Sequence, residues 1–227
     1  QEGANAVADV ITGAVNPSGK LPMSFPIDFM DHPSSANFPY MQVKSNTPFG
    51  TPRQGGSREK DVDYTDYEEG IWVGYRYFET KGTELSYPFG YGLSYTRFSY
   101  GKPVVKAASD GGFTASVTIR NEGDVAGKEV VQVYVQAPSG GLEKPAFELK
   151  AFAKTRLLQP GESQTLHFAV SAYELASFNE QVSQWETAAG TYTVHFAASA
   201  RDFRQQAAFK MSRPRTWEVH AGACLGK

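Results

Sequence analysis

The sequence predicts a mainly β chain: an antiparallel sandwich in its C-terminal half, behind a remnant of an α/β layer and a long linker. Three observations carry this. From about Phe98 onward, short strand-like runs recur at regular spacing with turn-forming residues between them. Within those runs apolar and polar residues alternate with period 2, as in Phe113, Ala115, Val117 and Ile119, or Leu166, Phe168 and Val170. Residues 1–26 read instead as a helix, a turn and an edge strand.

At the N-terminus Ala4, Val7, Ala8, Val10 and Ile11 follow a helical spacing, and Gly13 stands where a glycine would end that helix. So short a helix is marginal by itself, so the chain is expected to begin inside a domain. In NPSGKLPMSFP, Asn16 to Pro26, the Asn-Pro and Ser-Gly pairs form a turn, and Leu21, Met23 and Phe25 alternate as one face of a strand. Pro22 and Pro26 confine that strand to a sheet edge. Residues 1–26 are therefore expected to be the C-terminal end of an α/β sandwich domain.

Residues 27–95 are assigned to a linker or wrapping segment with one strand. Up to about Asp66 the segment is rich in Pro, Gly, Ser, Asn and Asp and holds no period; loops of this length are linkers or functional loops. If it reaches the rim of a binding site, Phe38, Tyr40, Phe49 and Arg53 are its available contacts. In YEEGIWVGYRYF, Tyr67 to Phe78, residues Ile71, Val73, Tyr75 and Tyr77 alternate with Trp72, Gly74, Arg76 and Phe78, which predicts a strand covered on both faces. The stretch YPFGYGLSYTRFSY, Tyr87 to Tyr100, follows, with Pro88, Gly90 and Gly92 allowing tight bends. Trp72, Tyr87, Phe89, Tyr91 and Tyr95 are expected to pack, largely buried, where structural units meet.

The sandwich is assigned to residues 96–212. Its candidate strands are Val104–Lys106, Phe113–Arg120, Glu129–Gln136, Phe147–Arg156, Gln164–Val170, Thr191–Ala197 and Gln206–Met211, separated by SDGG, NEGDVAG, APSGG, QPGES and AAG. This count and spacing fit an immunoglobulin or fibronectin type III-like sandwich without the Cys…Trp…Cys signature of true immunoglobulin domains. Ser171–Asn179 reads as a helical turn crossing between the sheets, and residues 213–227 as a tail.

Composition narrows the function. A formal net charge of -2 gives no basic field for nucleic acid, and no apolar run approaches a membrane span. A single cysteine, Cys224, rules out an internal disulfide or a Cys-built zinc site; so little Cys fits a periplasmic or extracellular protein, though many cytosolic proteins have as little. Glu68 and Glu69 are adjacent on a predicted strand and point to opposite faces, so they cannot flank a glycosidic bond as a pair. His32, His167, His195 and His220 are scattered with no metal-ligand spacing. No serine sits in a G-x-S-x-G setting, and the Gly-rich pieces lack the strand-to-helix context of a phosphate loop. No catalytic, cofactor-binding or metal-binding residue is assigned.

Several linear motifs go further. GANAVADVITGAVNPSGKLPMSFP, YEEGIWVGYRYF and LSYPFGYGLSYTRFSY resemble, in this order, landmarks of glycoside hydrolase family 3. NEGDVAGKEVVQVYV, KPAFELKAFAKTRLLQPGESQTLHF and GTYTVHF resemble that family's fibronectin type III-like terminal domain. The resemblance covers nearly the whole chain to about Met211; the tail from Arg213 matches nothing in it. It implies a parent β-glucosidase or β-xylosidase with a barrel, an α/β sandwich and then this terminal domain. Its catalytic aspartate and glutamate would lie upstream of the motif that opens this chain. The chain would then be a non-catalytic portion, partnered by the remainder of the enzyme in cis or as a separate chain, with a β-linked oligosaccharide as the parent's substrate. A stand-alone carbohydrate-binding or adhesion module on the same fold is the alternative from another class, separated from the first by whether Trp72 and Trp185 are packed or exposed. An oligomerisation scaffold is a third.

Overall fold

The computed structural model describes residues 2–36 and 67–219. In chain order the elements are α1 (Gly3–Ile11), β1 (Phe25–Pro26), α2 (Tyr75–Lys81), β2 (Leu85–Tyr87), β3 (Phe98–Tyr100), β4 (Val104–Ala107) and β5 (Phe113–Asn121). Then follow β6 (Val130–Gln136), β7 (Glu148–Lys154), β8 (Ser163–Val170), β9 (Ser177–Asn179), β10 (Gln184–Thr187), β11 (Gly190–Ser199), β12 (Asp202–Met211) and β13 (Arg215–Glu218).

Two antiparallel sheets form the sandwich. One has the order β12-β11-β6-β7. In the other β5 is central, with β8 along one edge and β3 and β4 sharing the opposite edge. The alternation read from the sequence is what closes the core: Phe113, Ala115, Val117 and Ile119 of β5 and Leu166, Phe168 and Val170 of β8 face Val131, Val133 and Val135 of β6 and Tyr192, Val194 and Phe196 of β11. Burying an aliphatic or aromatic side chain of this kind contributes about 1.5–3 kcal/mol, so these strands supply most of the driving force.

The β6–β11 sheet is also covered on its outer face. Tyr134 and Ala197 are fully buried there, beneath Tyr75, Phe89, Phe147 and Leu149. Tyr75 and Phe89 come from the segment before the sandwich, and the element that carries Tyr75 corrects the strand expected at Ile71–Phe78. Gly74 (φ 60°) and Gly82 (φ 69°) both take positive φ, a conformation that L side chains resist, and they bracket a helix over Tyr75–Lys81. Tyr75 and Phe78, one turn apart, are the residues that point inward. The alternation of bulky residues that suggested a two-faced strand is two turns of helix.

Two further differences concern the sandwich. Ser171–Asn179 holds a short 3-10 helix at Tyr173–Leu175, as expected, but then β9, which joins β10 and β13 in a third, three-stranded sheet. Arg215–Glu218, in the segment read as a tail, is the outer strand of that sheet, with Trp217 opposite Trp185. Arg215 fastens it to the sandwich by donating to the carbonyl of Ser109. The rest of the tail from residue 220 lies outside the described residues.

Candidate functional site

Three of the sequence landmarks meet in space, and their seam is the candidate functional site. Asn16, in NPSGKLP, is its first node. Its Nδ2 donates to the Ala126 carbonyl at 3.0 Å, while its Oδ1 accepts from Tyr95 N at 2.8 Å and Ser94 Oγ at 3.1 Å. One amide side chain thus ties the N-terminal turn to the GLSY stretch and to the NEGDVAG turn of the sandwich. Only an amide offers donor and acceptor together in this geometry.

Lys20 is the second node. Its Nζ lies 3.1 Å from Glu129 and donates to the Ala198 carbonyl at 3.1 Å. Both charged side chains are mostly buried, at 18% and 12% exposure, so solvent screens the pair little. Between these nodes Leu21 exchanges backbone hydrogen bonds with Tyr91 and Gly90, each at 2.8 Å, and Ala200 N donates to the Phe89 carbonyl at 2.9 Å. The PFGYG segment is therefore held as an extra strand-like layer between the N-terminal turn and the end of β11.

Gln132 is the third node and is buried. Its Nε2 donates to the carbonyls of Gly90 (3.1 Å) and Ala198 (2.9 Å), and its Oε1 accepts from the Tyr134 hydroxyl at 2.7 Å. Burial pushes the Tyr134 phenol up, so it stays a donor. Gly90 has φ +77°, and a Cβ there would lie within 2.6 Å of the Gln132 amide; no other residue allows so close an approach. Gly92 does the same against the carbonyl of Gly19.

Helix α2 closes the outer side of the seam. The Tyr75 ring stacks against Phe147, lies tilted on Phe89 and meets Tyr134 edge-on, and its hydroxyl accepts from Leu149 N at 2.8 Å. Glu79 receives a two-point contact from Arg201 Nε at 2.8 and 3.1 Å, and Arg201 also donates to the Thr83 carbonyl at 2.6 Å. Burial raises the Glu79 carboxyl above its ordinary range, against the pull of the guanidinium.

Of the aromatic residues expected at this junction, Phe89 and Tyr91 are half-buried in it. Trp72 lies at the start of the helix with Lys81 Nζ 5.1 Å over its ring. Tyr87 and Tyr95 differ from the expectation of burial: both remain about half exposed (48% and 49%). Tyr95 is nonetheless tied down, donating from its hydroxyl to the Val10 carbonyl of α1 at 2.6 Å. Tyr87 leans edge-on to Phe25 across the β1–β2 pair. Phe38, Tyr40, Phe49 and Arg53 lie outside the described residues. Trp185 is packed against Tyr173 and Phe178 with its ring tilted to both, opposite Trp217 on the neighbouring strand, not laid open as a flat platform. Reading the sequence missed Asn16, Lys20, Gln132 and Glu129. Gln132 did leave a signal, an amide interrupting the Val-rich run VVQVYV.

Among the described residues no cluster of His, Cys, Asp and Glu could hold a metal ion, and no helix is long and apolar enough to cross a membrane. The seam does mechanical work: it locks the turn after one helix onto the flank of a β-sandwich. The fold and seam together define a β-sandwich domain to which a second structural unit, from helix α1 to Tyr95, is fastened.

The comparisons specify which. Residues 1–95 match the family model of the glycosyl hydrolase family 3 C-terminal domain, and residues 129–200 match that of the fibronectin type III-like domain. Beta-glucosidase B of Emericella nidulans is 40% identical over 205 residues, which cover 89% of this chain and 23% of that protein. Thermostable beta-glucosidase B of Acetivibrio thermocellus is 39% identical over 200 residues, covering 87% of this chain and 24% of its own length. The structure of beta-glucosidase 3B from Thermotoga neapolitana in complex with glucose superposes with a TM-score of 0.82 at 42% identity, covering 96% of this chain and 28% of that one. The chain belongs to glycoside hydrolase family 3 and corresponds to its C-terminal region. It spans about a quarter of the length of the relatives it matches.

Proposed function

We propose that this chain is the non-catalytic C-terminal portion of a retaining β-glycosidase acting on non-reducing-end β-D-glucosyl or β-xylosyl residues, and that it buttresses the catalytic domains. One observation carries the reading: the N-terminal unit is bolted to the sandwich on one side and leaves an apolar surface on the other. Helix α1 has no buried residue. Ile11, Met23, Ile27, Phe29 and Met30 are each more than half exposed. An amphipathic helix of this length needs a surface to pack on, and the remainder of the same enzyme, joined in cis or supplied as a separate chain, is the partner that fits. A β-linked oligosaccharide is then the parent's substrate, and the catalytic carboxylates belong to the upstream domains. A periplasmic or extracellular location accords with the low cysteine content.

The test is reconstitution. The upstream domains are produced as a separate polypeptide and mixed with this chain, and turnover of a chromogenic β-glucoside is followed. Activity that requires both pieces is the expected result; turnover by this chain alone at a comparable rate would overturn the assignment. The alternative of a glucan-binding module has less support, because Trp185 is packed and the outer face of the β5–β8 sheet presents Thr114, Ser116, Thr118, Thr165 and His167, with no Trp, Tyr or Phe among the exposed residues of β5 and β8. Retardation of this chain in a gel containing soluble β-glucan would favour it.

A further inference from the structure

A cleft of about 550 Å³ opens between the N-terminal unit and the sandwich, and the seam residues already described form only part of its wall. That volume is within the usual span of small-molecule sites, roughly 300–1,000 Å³. Five cationic side chains line it: Lys20, Arg97, Lys128, Arg201 and Arg204. Against them stand two carboxylates, Glu129 and Asp202. The whole chain carries a formal charge of -2, so this is a local inversion of sign.

The acidic groups are already committed. Glu129 pairs with Lys20, Asp202 with Arg204, and Arg201 is held by Glu79 from outside the cleft. Arg97 and Lys128 have no carboxylate partner among the described residues, and both are solvent-exposed. Leu85, Pro88, Tyr91 and Phe98 add apolar side chains to the lining, and Ser18, Ser94 and Ser199 add hydroxyls.

A site with surplus cations and apolar side chains in its lining matches an oxyanion attached to a compact carbon body.

We propose that this cleft binds a small phosphorylated sugar, with Arg97 and Lys128 taking the phosphate and the Tyr91–Phe98 side taking the ring. Because Ser18 and Lys20 come from the N-terminal unit while Lys128, Ser199 and Arg204 come from the sandwich, such a ligand bridges the seam and stabilises it.

The experiment is thermal unfolding of the full chain at constant ionic strength with glucose 6-phosphate, inorganic phosphate or glucose as probe. At ten times its dissociation constant glucose 6-phosphate is expected to raise the midpoint by roughly 3–5 °C, inorganic phosphate by less, and glucose not at all. The double variant Arg97→Ala/Lys128→Ala should fold normally and lose the response. Lys106→Ala, on β4 and outside the cleft lining, should keep it. No shift with glucose 6-phosphate, or an equal shift in the double variant, overturns the proposal. Equal shifts from glucose 6-phosphate and inorganic phosphate overturn the sugar-ring part of it.

Discussion

Gly90→Ala isolates the closest approach in the seam. Two separate costs are expected. The first is conformational: Gly90 sits at φ +77°, and holding a residue with a Cβ there costs about 1–2 kcal/mol. The second is steric and specific to the site. The new methyl would occupy the position of the Gln132 amide, which must swing away and abandon the Gly90 and Ala198 carbonyls and the Tyr134 hydroxyl. Leaving such buried groups unpaired costs about 1–3 kcal/mol. Gly161→Ala separates the two. Gly161 has a nearly identical φ of +76°, and its nearest atom to an added Cβ is Arg120 Nη2 at 3.7 Å, an ordinary contact. Thermal unfolding of both variants should show Gly90→Ala melting below Gly161→Ala by the steric term alone. That is about 2 kcal/mol, or roughly 4–8 °C for a chain of this size. Equal midpoints would refute the reasoning, because they would mean that the Gln132 network relaxes without loss.

Three further outcomes follow from the same geometry. Asn16→Ala removes one donor and two acceptor contacts and should lower stability by about 2–3 kcal/mol, read as a lower urea midpoint with unchanged slope. Arg201→Met strands the buried Glu79 carboxylate. Its pKa is already raised in the folded state and would rise further, so the folded chain takes up a proton more readily than the unfolded one. The deficit relative to the parent chain should be largest at neutral pH and shrink toward pH 5, as urea midpoints at the two pH values would show; a deficit that grows on acidification would contradict this. His195 behaves with the opposite sign. Burial depresses its folded-state pKa, its Nδ1 has no partner, and its ring stacks on Phe203. Below about pH 6.5, the ordinary histidine value, the unfolded chain binds a proton that the folded chain refuses, so stability falls on acidification. His195→Phe keeps the stack and should flatten that slope between pH 7 and 5.

What could be read from the sequence and what could not divide along a physical line. The sandwich was legible because each strand buries one face, and a period of 2 in apolar residues reports that directly, as at Phe113–Ile119. The helix at Tyr75–Lys81 was not. Over seven residues periods of 2 and 3.6 both find bulky side chains at Tyr75, Tyr77 and Phe78, and the deciding signal is the conformation of Gly74 and Gly82, which the letters do not state. The seam was half legible. Aromatic residues and glycines at 87–100 announced a junction, and Phe89 and Tyr91 lie in it, but burial was expected of the whole aromatic set. Tyr87 and Tyr95 are instead half exposed, beside the exposed side chains of Phe25 and of helix α1. The groups that fasten the seam, Asn16, Lys20, Gln132 and Glu129, are polar and far apart in sequence, so no local pattern joins them. Their partners are mostly backbone carbonyls, which carry no sequence signature at all. A junction of this kind is therefore announced by what cannot be exposed and fastened by what cannot be left unpaired, and only the first leaves a periodic trace in the chain.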